Sequence, residues 1–132
     1  MNVTMTQTKA KPYDLEERTA IFGENIINLC QSISHNSITN PIINQLVRSG
    51  TGIGANYMEA NGASSRKDFR NKIYITKKET QETKHWLRML AAAAPNKKPD
   101  IRLLWHEAQE LTLIFQRITN SLNKTIEKLK ID

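Results

Sequence analysis

The residues best equipped for chemistry are a single E-x-x-H (Glu82-Thr-Lys-His85), three closely spaced glycines and a one-sided run of Lys and Arg. On a helix, E-x-x-H sets a carboxylate and an imidazole one turn apart, as in the di-metal sites of four-helix proteins. Such a site takes two of these motifs and two further glutamates, all facing inward. No second E-x-x-H occurs, and His106-Glu-Ala-Gln-Glu110 offers the two ligand types in the wrong order. His85 also falls two positions past the apolar line of its helix, so it is expected to point outward. No metal site and no cofactor are expected. Glu79 and Glu82 are expected to pair with Arg or Lys across a helix contact rather than to act in acid-base catalysis. Cys30 lies beside an apolar run with no His or Asn partner set, so it reads as a small residue flanking the core. No Ser-His-Asp set can be argued, and the chain is not expected to be an enzyme.

The glycines, Gly50, Gly52 and Gly54, lie within "RSGTGIGANYMEAN", Arg48 to Asn61. Their G-x-G-x-G spacing matches neither G-x-G-x-x-G nor the phosphate loop that ends in Lys-Ser or Lys-Thr. Apolar residues keep a helical period straight through the stretch, so the glycines are expected inside a helix. Each costs about 1 kcal/mol there relative to alanine. Gly50 and Gly54 share one face, where missing side chains let a neighbouring backbone come close and gain dispersion contacts. Arg48 and Glu59 are the polar residues to watch at the ends of the stretch.

The third candidate is electrostatic. Arg66, Arg70, Lys77, Lys84 and Arg88 are spaced 4, 7, 7 and 4. On a helix they fall within roughly 40° of one another and span about 33 Å. Lys67 and Lys78 lie beside the line. The plainer reading is a solvated polar face. Ordinary faces mix signs, however, and this one has no interleaved acid. A phosphate backbone could follow it. The line holds no aromatic on which a base could stack, which argues against sequence-specific single-strand readout.

Four periodic segments must position these groups. Asp14 and Glu17 open the first, where Leu15, Thr19, Phe22, Ile26, Leu29 and Ile33 alternate steps of four and three. Asn40 is expected to cap the second, with Pro41 at its first position. Its line is Ile43, Leu46, Gly50, Ile53, Tyr57 and Ala60, and Asn61-Gly62 stops it. Ser65 caps the third, which runs through Phe69, Ile73, Thr76, Thr80, Thr83, Leu87 and Leu90. The three threonines can be buried at modest cost because their hydroxyls bond back to the preceding turn. Pro95 and Pro99 bracket a turn. Asp100 is expected to cap the fourth segment, with Leu104, Ala108, Leu111, Phe115, Ile118, Leu122, Thr125 and Leu129 as its line. Short connections predict an all-α, antiparallel up-down-up-down four-helix bundle, with crossing angles of roughly 20°. The third helix has a second line as well: Lys72, Ile75, Glu79, Glu82, Trp86, Met89 and Ala93. It reads either as a wide core face or as a subunit contact through Ile75, Glu79, Glu82, Trp86 and Met89.

The totals are consistent with one domain. The chain has 132 residues and a formal net charge of +6. That balance invites nucleic acid or another anionic surface as partner. A single cysteine fits a reducing cytoplasm. Residues 1–13 read as a disordered tail without a signal-peptide core, and 14–132 as the bundle. No apolar run reaches the ~20 residues of a membrane helix.

From Gln45 to Leu90 the sequence resembles the bacterial 23S ribosomal-RNA intervening-sequence proteins, often called four helix bundle proteins. The shared pattern is Q-L-x-R-S-G-T-S-I-G-A-N-x-x-E-A, S-x-x-D-F-x-x-K and K-E-x-x-E-T-x-x-W-L. Here it is carried by Gln45, Leu46, Arg48, Ser49, Gly50, Thr51, Ile53, Gly54, Ala55, Asn56, Glu59 and Ala60. It continues with Ser65, Asp68, Phe69, Lys72, Lys78, Glu79, Glu82, Thr83, Trp86 and Leu87. Gly52 departs from the usual serine. The resemblance implies a four-helix bundle without established enzymatic activity that assembles as a homopentameric ring. It points also to distant kin, the accessory proteins of diversity-generating retroelements, which bind nucleic acid and a reverse transcriptase. Two functions follow as expectations. One is an oligomer that binds RNA or DNA through Arg66, Lys67, Arg70, Lys77, Lys84 and Arg88. The other is an adaptor ring for a protein partner such as a reverse transcriptase, without direct nucleic-acid binding.

Overall fold

Asp14 opens the first helix by accepting a hydrogen bond from the Glu17 backbone N–H at 3.3 Å. In the computed structural model, which describes residues 14–129, α1 is Leu15–Gln31, α2 Thr39–Asn61, α3 Arg66–Ala93 and α4 Lys98–Leu129. A single 3-10 turn, Pro95–Lys97, joins the last two helices. The fold is all-helical, with no strand among the described residues. The tail expected over 1–13 lies outside them, as do residues 130–132.

Ser65 caps α3 as expected, its Oγ accepting from the Asp68 N–H at 3.0 Å. Two other caps differ. Asn36, not Asn40, prepares α2. Its Oδ1 accepts from the N–H groups of Ile38 and Thr39 at 2.8 and 2.9 Å, and Thr39 Oγ1 accepts in return from the Asn36 N–H at 3.0 Å. This reciprocal pair satisfies backbone donors a turn before Pro41, so Pro41 falls inside the first turn, where proline is tolerated. Asp100 likewise sits within α4. The 3-10 turn at Pro95 runs straight into the helix and starts it at Lys98, leaving Asp100 in the first turn, where a carboxylate suits the helix dipole.

The apolar lines meet in one core built on Phe22, Ile26, Leu29, Leu46, Ile53, Ile73, Leu87, Leu90, Leu104, Leu111 and Phe115. The expected line of α4 holds as far as Phe115. Beyond it, Thr119 and Ile126 are buried, whereas Ile118, Leu122 and Thr125 are half-buried and Leu129 is exposed. A helix of 3.6 residues per turn drifts about 20° per heptad from a strict repeat of 3.5, and over 32 residues that drift moves the buried line sideways.

Cross-helix pairs fix direction and register. Residue numbers rise on one partner as they fall on the other for α1 with α2 (Thr19 at Gly54, Ile26 at Gly50). They do the same for α2 with α3 (Glu59 with Lys72, Arg48 with Glu82) and for α3 with α4 (Lys84 with Gln109, Lys77 with Gln116). With 17 residues against 32, α1 is about 26 Å long and α4 about 48 Å, so α1 flanks only part of α4. The two are joined by Arg18, whose Nε and Nη2 donate to the two carboxylate oxygens of Glu107 at 2.8 and 2.7 Å. That bond, opposed by burial, raises the Arg18 pKa above its ordinary value.

The glycines each serve a different neighbour. A Cβ on Gly50 would lie 2.9 Å from Ile26 Cγ1, and one on Gly54 would lie 3.3 Å from Thr19 Oγ1 and 3.5 Å from the Thr19 backbone. Both positions therefore admit α1. A Cβ on Gly52 would instead meet the end of the Glu79 side chain, at 3.0 Å from Oε2.

Buried threonines bond as expected. Thr76 and Thr83 each donate to the carbonyl four residues back, both at 2.8 Å, and Thr80 donates to Lys77 O. They also tie helices together: Thr83 Oγ1 lies 3.0 Å from Ser49 Oγ of α2, and Thr112 of α4 donates to Thr80 Oγ1 at 2.8 Å. The core is thus held in register by hydroxyl pairs as well as by apolar packing.

Candidate nucleic-acid interface

The line of cations lies along the outer groove between α3 and α4. Helical spacing brings Arg66, Arg70, Lys77, Lys84 and Arg88 to one flank of α3, and the antiparallel α4 supplies the opposite wall. Lys77 Nζ donates to Gln116 Oε1 at 2.9 Å and Lys84 Nζ to Gln109 Oε1 at 2.6 Å. Both acceptors are neutral amides, so each lysine is oriented without losing its charge to a carboxylate. Arg66, Lys67 and Arg88 are exposed, and Arg70 is half-buried.

Two acids of α4, Glu107 and Glu110, face elsewhere. Glu107 is bound to Arg18 of α1, and Glu110 also acts on that guanidinium. On α3, Glu79 and Glu82 turn to the other side, towards α2. Glu82 Oε2 is 2.6 Å from Arg48 Nη2 and Glu79 Oε2 is 3.5 Å from Nη1. The bond to Glu82, reinforced by Glu79, raises the Arg48 pKa above its ordinary value. Glu59, at the far end of α2, meets Lys72 at 3.3 Å. Arg48 and Glu59 thus tie α2 to α3.

The line itself holds no aromatic, as expected, but two aromatics outside it border the cations. Lys84 Nζ stands 5.4 Å from the centroid of the Trp105 ring and Lys77 Nζ 5.3 Å from that of Tyr74. Tyr74 lies one turn from Arg70 on α3, and its hydroxyl accepts from Asn123 of α4. Trp105 was missed because it belongs to the other helix. Its signal was present in a second line along α4, Arg102, Trp105, Gln109, Gln116 and Asn123, which recurs at steps of three, four and seven.

At the end of this groove nearest the 3-10 turn is a cavity of about 360 Å³. Leu87, Ala91 and Ile101 give it apolar walls, and Arg88, Lys98, Arg102, Trp105 and His106 supply the rest.

The second line of α3 divides. Trp86 is half-buried and packs against the core, with His85 edge-on to it at 4.9 Å between ring centroids. Met89 is half-buried and Ile75 is 43% exposed. Glu82 is held by Arg48 while His85 is exposed, so the two ends of the E-x-x-H are separately engaged. Among the described residues, no three His, Cys, Asp or Glu side chains gather as a metal site would require. Burial pushes the Cys30 thiol up to about 12. No helix among the described residues is long and apolar enough to cross a membrane.

Fold and flank together define an all-helical four-helix protein with a cationic groove on one hairpin. The chain belongs to the 23S rRNA-intervening sequence protein family, whose model matches residues 13–117. It is similar to a protein of unknown function from the S23 ribosomal protein family of Bacteroides thetaiotaomicron, known from a crystal structure. The two share 29% identity and a TM-score of 0.70, over 80% of this chain and 97% of that one. No match is found among curated proteins.

Proposed function

We propose that this chain is a non-enzymatic, cytoplasmic, oligomeric protein that binds RNA or DNA through the α3–α4 groove. The observation that carries the reading is the segregation of charge around that groove. Its lysines are oriented by Gln109 and Gln116, while Glu79, Glu82 and Glu107 are drawn off to Arg48 and Arg18 on other faces. A line of cations attracts a phosphate backbone and releases its counterions.

The charge of the whole chain supports an oligomer. Residues 14–62, the first helical hairpin, hold five acids and two bases, whereas residues 63–129 hold seven acids and fourteen bases. Oppositely charged hairpins favour a head-to-tail contact between copies, the arrangement that closes into rings. Ile75, with Trp86 and Met89 along the same line, is the apolar part of α3 available to such a contact. The resemblance to the intervening-sequence proteins supports a homopentamer as the form of that ring. Filter binding at low salt tests the first part, and replacing Arg70, Lys77 and Lys84 by Glu should abolish it. Light scattering tests the second, and a monomer at micromolar concentration would remove the ring.

A further inference from the structure

We infer that the cavity between α3 and the start of α4 is a nucleotide-sized site, in which a base of a single-stranded nucleic acid packs against Trp105 while its phosphates meet Arg88, Lys98 and Arg102. The inference rests on the proposed groove and adds to it a preference for strands with accessible bases. Three observations lead there.

The first is composition. Three cations border one cavity whose walls are otherwise Leu87, Ala91, Ile101 and an indole. An apolar, aromatic wall rimmed by positive charge suits a flat π-system that carries phosphate. Aromatic stacking with a cationic track is the general means of holding single strands. A duplex shields its base faces and could use only the rim.

The second is size. The open cleft holds about 360 Å³, within the range of small-ligand sites and enough for one nucleotide.

The third is preorganisation. Trp105 is half-buried and packed against the core, with His106 edge-on to it at 5.6 Å between ring centroids. Lys84 is held near the indole by Gln109. The ring is therefore supported from its own helix and from α3. Lys84 also connects the cavity to the rest of the cationic line, so a strand leaving the site runs on towards Lys77.

The test compares two polyanions of equal length and charge: a short oligothymidylate or oligouridylate, and an abasic sugar-phosphate oligomer. The inference predicts that the full chain binds a base-bearing strand at least about fivefold more tightly than the abasic one, as stacking on an aromatic side chain implies. Trp105→Leu should remove that preference, and Trp105→Phe should keep most of it. A preference for uridylate, for thymidylate or for both supports the site. Should Trp105→Leu lose its helical circular dichroism, Trp86→Phe leaves Trp105 as the sole indole. Its fluorescence should then be quenched by the base-bearing strand and not by the abasic one. Equal affinity of the unaltered protein for both polymers overturns the inference and leaves the cationic groove standing. Binding of neither at low salt overturns both.

Discussion

A methyl group added at Gly50 meets the branched part of Ile26, a fully buried side chain. Neither Cβ nor its branches can swing away, so α1 or α2 must shift. Gly50→Ala gains about 1 kcal/mol of helix propensity but overpacks the contact by about 1–3 kcal/mol. The expected result is a net loss of about 1 kcal/mol, read as a lower melting midpoint. Gly52→Ala meets only the far end of Glu79, which can turn aside. With the same propensity gain and little to offset it, its stability should be unchanged or raised by up to about 1 kcal/mol. Equal effects at the two sites would contradict the assignment of Gly50 to the α1 contact. Cys30 makes a second test at this scale. An ordinary thiol titrates near about 8.5, but burial holds this one at about 12. The thiolate is therefore scarce across the neutral and mildly alkaline range, and alkylation of the folded protein near the ordinary thiol pKa should be slow, becoming fast in urea. Rapid labelling of the native protein would contradict the buried placement. The glycines' helical setting was legible in the sequence, because apolar residues kept their period through them. That Gly52 serves Glu79 and not α1 was not legible, since it depends on how α2 is rotated between two neighbours.

The helices were legible as elements because each keeps an apolar line, and because the Asp14 and Ser65 caps stand directly before theirs. The α2 cap was misplaced. A proline next to Asn40 suggested a start there, whereas Asn36 and Thr39 form a reciprocal pair a turn earlier. Asn36→Ala should cost about 1 kcal/mol, as loss of an N-cap does, and Asn40→Ala should cost little. Urea unfolding separates the two, and the reverse order would restore Asn40 as the cap. The threonine line of α3 was legible as buried, but its partners Ser49 and Thr112 were not. A hydroxyl that satisfies itself on its own helix gives no sign of the second helix it will touch. The end of the α4 line was misjudged for a related reason: a strict heptad drawn on a straight helix slides off the core after about four turns.

At the scale of the molecule, the candidate interface is a product of register. Arg88 and Trp105, or Lys84 and Gln109, come together only when α3 and α4 lie antiparallel at one offset. The sequence showed the cations and not what stands opposite them. The same offset sends Glu107 to Arg18, and the rotation of α3 sends Glu79 and Glu82 to Arg48. This sorting leaves the groove positive, beyond what the net charge of +6 alone implies. A positive groove that neutralises phosphates has a distinctive signature, because each phosphate contact lowers the slope of log K against log salt by about 0.7 to 0.9. The most direct measurement is therefore that slope, for the unaltered protein and for the protein with Arg70, Lys77 and Lys84 replaced by Glu. A steep slope for the former, with binding by the latter lost or its slope shallower by at least about two, is the predicted result. Equal affinities and equal slopes for the two proteins would contradict the account.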